Sequence, residues 1–288
     1  MNYALIRNQE LISDEETPVI VPWWSFTKTL IAAAALVLVR DRVLSLDEPC
    51  PGKAYTLRQL LQHEAGLADY ASLGDYHDSV KAGKSPWSVD ELLRRVNVLQ
   101  PAIGGGSNWA YSNIGYLHVR QLIERGLDDS LDSALDRLVF RPLGLQRTRV
   151  ANLPTDLSDV VMGDINNYHP GWVYHGLVVG PLTDAVMALR GLLTGSLLSD
   201  HLLNEMLKIR PLGGPIAGRP WVSPGYGLGV MSGETDNNLS VIGHTGGGPG
   251  SVIAVYHTTH PMPMTCAAFT TSEDAGEVER IVVSKLMP

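Results

Sequence analysis

The sequence predicts an α+β fold: an antiparallel sheet flanked by helices, with an all-helical insertion lobe. Three observations predict it. Strand-like runs stand at both ends of the chain, so the two ends can share one sheet. Helical patterns fill the middle. The closing strand-like runs are separated only by short Gly, Asn, Asp and Pro clusters, a spacing that implies antiparallel neighbours. The expected division is an α/β lobe of residues 1–50 and 176–288, and a mainly helical lobe of residues 51–175, with a cleft between them.

Taken in order, Tyr3–Arg7 and Glu10–Ile12 read as two strands around a hairpin turn at Asn8-Gln9. Pro18–Val21 extends toward a helix that starts at Ser25 and runs to about Arg40. That helix is apolar on every side, so it is expected to lie buried between layers. Val43–Pro49 is a connector. Thr56 caps a helix through His63, stopped by Gly66. Ala68–Ser85 reads as polar loop, and Ser88-Val89-Asp90-Glu91 as a capping box opening a helix to about Val96. A glycine loop, Gly104–Gly106, precedes two helices at Asn113–Arg125 and Leu131–Phe140. Gly163–Gly180 is aromatic and irregular. Thr183 and Ser199 are read as caps of helices reaching Leu193 and Ile209, and Pro211–Pro224 as loop. Four strand-like runs follow: Tyr226–Met231, Leu239–Gly243, Ser251–His257 and Met264–Thr270. A helix from about Ala275 to Leu286 ends the chain.

Composition bounds the function. The 288 residues are 44% hydrophobic and 18% charged, which suits a globular protein with a real core. A net charge of −8 and a pI near 5.5 argue against nucleic acid or an anionic membrane as partner. The two cysteines, Cys50 and Cys266, form no disulfide framework and no metal spacing, and fit a reduced compartment. The apolar run Leu30–Val39 is too short to span a bilayer and follows acidic Asp14-Glu15-Glu16, so it does not read as a signal peptide. A cytoplasmic location is the expectation.

Three short motifs can carry chemistry. Ser25 and Lys28 lie three apart at a helix start, so both side chains share one face. A partly desolvated lysine can take a proton from the serine hydroxyl and make it a nucleophile; the same two residues also occur together by chance. Tyr111-Ser112-Asn113 follows the glycine loop. There the tyrosine is either a general acid or base, its pKa lowered by a nearby cation, or a packed loop residue beside an Asn113 N-cap. His244-Thr245-Gly246-Gly247-Gly248 lies between two strand candidates. It is an oxyanion-hole strand edge, a hairpin turn or a phosphate loop, and no helix follows it to favour the last. His63-Glu64 lacks the second histidine of a zinc motif, because position 67 is Leu67. The other histidines show no ligand spacing, although His169 and His175 can line a cleft. No metal is expected. Trp172, Tyr174, Trp221 and Tyr226 are either pocket walls or core.

In this order and spacing, Ser25-x-x-Lys28, Tyr111-Ser112-Asn113 and His244-Thr245-Gly246 resemble the serine β-lactamase and penicillin-binding-protein superfamily. The tyrosine is similar to that of its class C-like branch, which includes DD-peptidases, D-amino-acid amidases and esterases. Leu60–Leu67, Leu44–Pro49, Arg141–Leu145 and Tyr226–Gly229 also resemble family segments, and the likeness runs from about Pro18 to Thr271. It implies a β-lactamase/transpeptidase-like fold and a single catalytic unit with no cofactor, acting on a small-molecule substrate. It further implies Ser25 as acylated nucleophile, Lys28 as proton acceptor and Tyr111 as general acid or base. The amides of Ser25 and Gly247 would form the oxyanion hole, and Asn113, His244, Thr245 and Gly246 would contact substrate. The expected function is hydrolysis of a small ester or amide through an acyl-enzyme, as in the esterases or D-amino-acid amidases. The alternatives are a class C-like β-lactamase, a DD-carboxypeptidase or a catalytically idle binding protein. His244 stands where lactamases carry lysine, and a neutral imidazole attracts a substrate carboxylate less. Ala65 replaces a usual serine, and short segments before Ser25 and between Leu46 and Thr56 imply one or two trimmed peripheral strands or loops, which opens the cleft or changes its specificity without removing a catalytic group.

Overall fold

A computed structural model of the chain describes residues 2–14, 18–97, 109–163, 165 and 167–287. The glycine loop at Gly104–Gly106 lies outside the described residues. The chain opens with a hairpin, β1 (Asn2–Arg7) and β2 (Glu10–Ser13). Asn8 and Gln9 take φ of 50° and 66°, the left-handed pair that a tight two-residue hairpin turn requires. A short β3 (Val21–Pro22) and a 3₁₀ turn over Trp24–Phe26 lead into α1 (Thr27–Arg40). The helical part follows: α2 (Leu57–Leu61), α3 (Gly74–Lys81), α4 (Val89–Val96), α5 (Asn113–Leu127) and α6 (Leu131–Leu135). Then come β4 (Arg149–Ala151), β5 (Leu177–Gly180), α7 (Leu182–Leu193) and α8 (Asp200–Met206). The closing strands are β6 (Arg210–Pro211), β7 (Trp221–Tyr226), β8 (Met231–Thr235), β9 (Ser240–Gly248), β10 (Ser251–Thr258) and β11 (Met264–Thr270). Helix α9 (Ala275–Leu286) ends the fold.

The main sheet has eight strands in the order β2-β1-β11-β10-β9-β8-β7-β6, every pair antiparallel. The first strands therefore meet the last, with Leu5 opposite Cys266, as the strand-like runs at both chain ends predict. The two-residue period of a strand splits the core. Ile253, Val255, Ala267 and Phe269 share one apolar cluster with α1 and α7, whereas Val252, Ala254, Cys266 and Ala268 share the other with α9. From Leu30 to Leu38 every residue of α1 is buried, which explains its apolar surface on all sides. Gly229, at φ of 78°, lets a loop press on α1; a Cβ there would lie 2.4 Å from that of Ala32.

Several local expectations are corrected. Ala68–Ser85 contains α3, a polar helix that buries only Tyr76, Ser79 and Val80 and so leaves a weak apolar stripe. Tyr226–Met231 is the reversal between β7 and β8, and β7 begins at Trp221, inside the segment read as loop. The motif His244–Gly248 lies within β9 rather than after it. Residue Pro181, not Thr183, occupies the N-cap of α7, and α2 and α8 stop earlier than expected, at Leu61 and Met206. The small sheet β3-β5-β4 has strands of two to four residues, too short for a pattern to show. Among the described residues no helix is long and apolar enough to cross a membrane.

Candidate active site

Ser25 sits in the 3₁₀ turn, two residues before α1 begins. Its neighbour Trp24 has φ of 40°, a left-handed value that a bulky residue holds only when its surroundings enforce it. They do: the Trp24 indole Nε1 donates to Ser251 Oγ at 3.1 Å, and its ring meets Tyr168 edge-on at 5.7 Å. The bend turns Ser25 toward Lys28, on the first turn of α1. Lys28 Nζ lies 2.9 Å from Ser25 Oγ, and the Tyr111 hydroxyl donates to the same oxygen at 3.0 Å. The three predicted catalytic side chains thus meet at one atom.

Lys28 is wholly buried, and desolvation lowers its pKa to about 7, against a smaller upward pull from Asp69. Its ammonium lies over the rings of Tyr111 and Tyr116, at 5.1 and 5.7 Å. Burial raises the Tyr111 phenol above its ordinary value. The expected net lowering by a cation is not found: desolvation outweighs the downward pulls of the hydrogen bond to Ser25 and of the Arg219 charge. Tyr111 is therefore protonated at rest and serves as donor to Ser25.

Tyr111 is held by His63, whose ring lies 4.3 Å away. The chain at His63 takes φ of 60°, its carbonyl accepts from Ala110 N at 2.9 Å, and its Nδ1 accepts from Ser112 N at 3.1 Å. Ser112 is the N-cap of α5, accepting from Gly115 N, so Asn113 is the first helical residue rather than the cap. The Asn113 backbone and side-chain N–H groups donate to Asp69 at 3.0–3.1 Å. Asp69 was hidden in the stretch read as loop.

The third motif runs along β9. Gly246 backs on the nucleophile turn, where a Cβ would lie 2.5 Å from Trp23 O and 2.6 Å from Ser25 N. Gly248 makes way for the Trp24 ring, 2.4 Å from its own ideal Cβ position. Gly247 is exposed and, with Ser25, lines a cleft of about 780 Å³. Gly246→Ala is expected to displace the Ser25 amide and lower kcat by about 10²-fold, the scale of losing one oxyanion donor; steady-state kinetics on an activated ester check it.

His244 and Thr245 differ from their expected role as substrate contacts. His244 is buried: its Nδ1 donates to Thr245 O at 2.7 Å and its Nε2 accepts from the Tyr226 hydroxyl at 2.9 Å. Burial lowers its pKa to about 3, with Lys28 adding to the effect, so it is neutral. Thr245 is bonded to Tyr256 and Glu279 on the α9 face of the sheet. Neither side chain presents a free polar group to the cleft. Trp172, Tyr174, Trp221 and Tyr226 are core; the aromatic walls of the cleft are Trp24, Tyr70, Tyr76 and Tyr168. His175 does line the cleft, and His169 caps the turn over Pro170–Trp172. Among the described residues no group of three His, Cys, Asp or Glu side chains is placed to hold a metal ion.

Comparison with known proteins bears on the family and the fold. The family model described as Beta-lactamase matches residues 18–282. A penicillin-binding protein of Bacillus subtilis (strain 168) is 29% identical over 160 residues, 52% of this chain and 34% of that protein. Esterase EstB of Burkholderia gladioli is 30% identical over 142 residues, 42% of this chain and 36% of the esterase. The matches thus span about a third of the length of these two relatives. Among solved structures, a D-stereospecific amidohydrolase from a Streptomyces species superposes with a TM-score of 0.80 at 20% identity, covering 99% of this chain and 93% of that one. From the match over residues 18–282, the chain belongs to the β-lactamase family.

Proposed function

We propose that the chain is a serine hydrolase that cleaves a small ester or amide through an acyl-enzyme on Ser25. The observation that carries this reading is the meeting of Lys28 Nζ and Tyr111 Oη on Ser25 Oγ, at 2.9 and 3.0 Å. An idle binding protein has no need of a desolvated lysine and a phenol converging on one serine. In the reading, neutral Lys28 accepts the Ser25 proton as Oγ attacks the substrate carbonyl. The amides of Ser25 and Gly247 hold the oxyanion. Tyr111 gives its proton to the departing group and regains one from protonated Lys28; in deacylation it takes a proton from the attacking water as it passes its own to neutral Lys28, which returns a proton to Ser25 Oγ as the acyl bond breaks. The elements on either side of the cleft act as a single catalytic unit.

Substrate charge follows from the strand edge. His244 is neutral and occupied internally, so no cation stands there to draw a substrate carboxylate. That favours esters and neutral amides, including the esterase reading suggested by the likeness to EstB, over carboxylate-bearing lactams. The test is intact-mass spectrometry after a fluorophosphonate probe. One adduct is expected, located on Ser25 and absent in Ser25→Ala. No adduct, together with no turnover of a panel of nitrophenyl esters and amides, overturns the reading.

A further inference from the structure

One buried histidine has no part in the reaction just described. His175 lies after the 3₁₀ turn over Pro170–Trp172, just before β5, and is 2% exposed. Its Nε2 is 3.2 Å from Lys28 Nζ, and its Nδ1 has no partner among the described residues. It also forms part of the cleft wall beside Ser25. Among the described residues, Lys28 makes two side-chain hydrogen bonds, one to Ser25 and one to His175.

The chemistry of a primary amine makes the second bond consequential. A neutral amine has two N–H bonds and one lone pair. It accepts the Ser25 proton only if the lone pair faces Oγ, and an amine on a long side chain is free to rotate. A fixed acceptor for one N–H removes that freedom. We propose that His175 is a positioning residue: its Nε2 accepts an N–H of Lys28, which turns the amine lone pair onto the Ser25 hydroxyl. The inference rests on the acyl-enzyme reading above.

The role requires the tautomer with its proton on Nδ1. It also requires an imidazole that stays neutral, since an imidazolium has no lone pair to offer. Burial holds His175 well below the ordinary histidine value, with the Lys28 and Arg120 charges and His244 adding to the effect. The other ionisable groups near Lys28 are Asp69, Tyr111, Tyr116, His63 and His244. None of these accepts a hydrogen bond from Nζ among the described contacts. During acylation the Oγ proton moves to Nζ, and the resulting ammonium still has Nε2 as acceptor. The same contact therefore serves the amine and its protonated form, and favours the protonated form because a charged donor bonds more strongly.

The experiment uses the full chain. His175→Leu is expected to lower kcat/KM for 4-nitrophenyl butyrate by about tenfold to a hundredfold, the scale of one lost bond to a charged group. It is also expected to move the acid limb of the pH profile down by about one unit, because the ammonium has lost its acceptor. His175→Gln, whose amide oxygen can reach the Nε2 position, is expected to restore both toward wild type. A Leu variant with wild-type rate and acid limb overturns the proposal, as does a folded Gln variant as impaired as Leu. Nitrogen-15 NMR of the wild-type chain, with His175→Gln assigning the resonance, is independent of how the Leu variant folds. A protonated Nδ1 and bare Nε2 are expected, and a protonated Nε2 overturns the proposal. Failure here with a fluorophosphonate adduct still on Ser25 condemns only the histidine; absence of the adduct condemns the acyl-enzyme reading itself.

Discussion

Lys28→Met is expected to lower kcat/KM for a nitrophenyl ester by about 10²–10⁴-fold, the range for a removed general base, while the chain stays folded. Methionine fills nearly the same volume without a group to desolvate. The wild-type rate should fall as pH drops through about 7, where the buried lysine becomes protonated and loses the lone pair it needs. Stability should respond as well, and its sign follows from linkage. The folded pKa, about 7, lies below the ordinary lysine value of 10.5 that represents the unfolded chain. Between these values the unfolded chain binds a proton that the folded chain does not, so stability rises with pH across that window. Below about 7 the penalty for a buried ammonium is full; above 10.5 it is absent. The methionine variant lacks this slope. Its stability relative to wild type should therefore be greater at pH 6 than at pH 9, as read by urea melts at both. An unchanged difference would mean that Lys28 is not desolvated in solution.

Much of this site is legible in the sequence, for a physical reason. Ser25 and Lys28 are three residues apart, so helical geometry alone makes them neighbours. Tyr111 is recognised by its motif, and its distance from Ser25 in sequence is closed by the fold. What stays hidden is set by pairing between distant segments. His175 meets Lys28 across 147 residues, and Asn113 meets Asp69 across 44. No local pattern announces either contact. The fold shows the same division. The strands with regular alternation and the well-capped helices stand out, whereas α3 and the two- to four-residue strands bury too few side chains to leave a period. At His244 the residue type indicated a weak attraction for carboxylates. It did not indicate that both ring nitrogens would be taken, because Tyr226 becomes a neighbour only when β7 and β9 fold around β8.

Glu279→Leu is expected to destabilise the chain by about 3–5 kcal/mol, the cost of breaking a buried ion pair from one side. The carboxylate lies on α9 beneath the sheet with no solvent exposure. It receives two N–H groups of Arg219, the Trp221 indole N–H at 3.1 Å and the hydroxyls of Thr245 and Tyr256. Without it, the Trp221 indole N–H is left as a buried donor with no acceptor, the Thr245 hydroxyl keeps only Tyr256 as partner, and Arg219 is left as a largely desolvated charge. For a chain of this size the melting temperature should drop by about 10 °C. Replacing both partners, Arg219→Leu with Glu279→Leu, removes the orphaned charge and should recover at least half of the loss. A double variant as unstable as the single one would assign the cost to packing rather than to charge. The effect should reach the site through one strand. Thr245 is gripped by Glu279 on one face of β9, and its neighbour Gly246 backs on the Ser25 amide on the other. Loosening that grip lets β9 shift against the nucleophile turn. The folded fraction of Glu279→Leu should then show a lower kcat at little-changed KM, and the double variant, still lacking the anchor for Thr245, should regain stability without regaining rate.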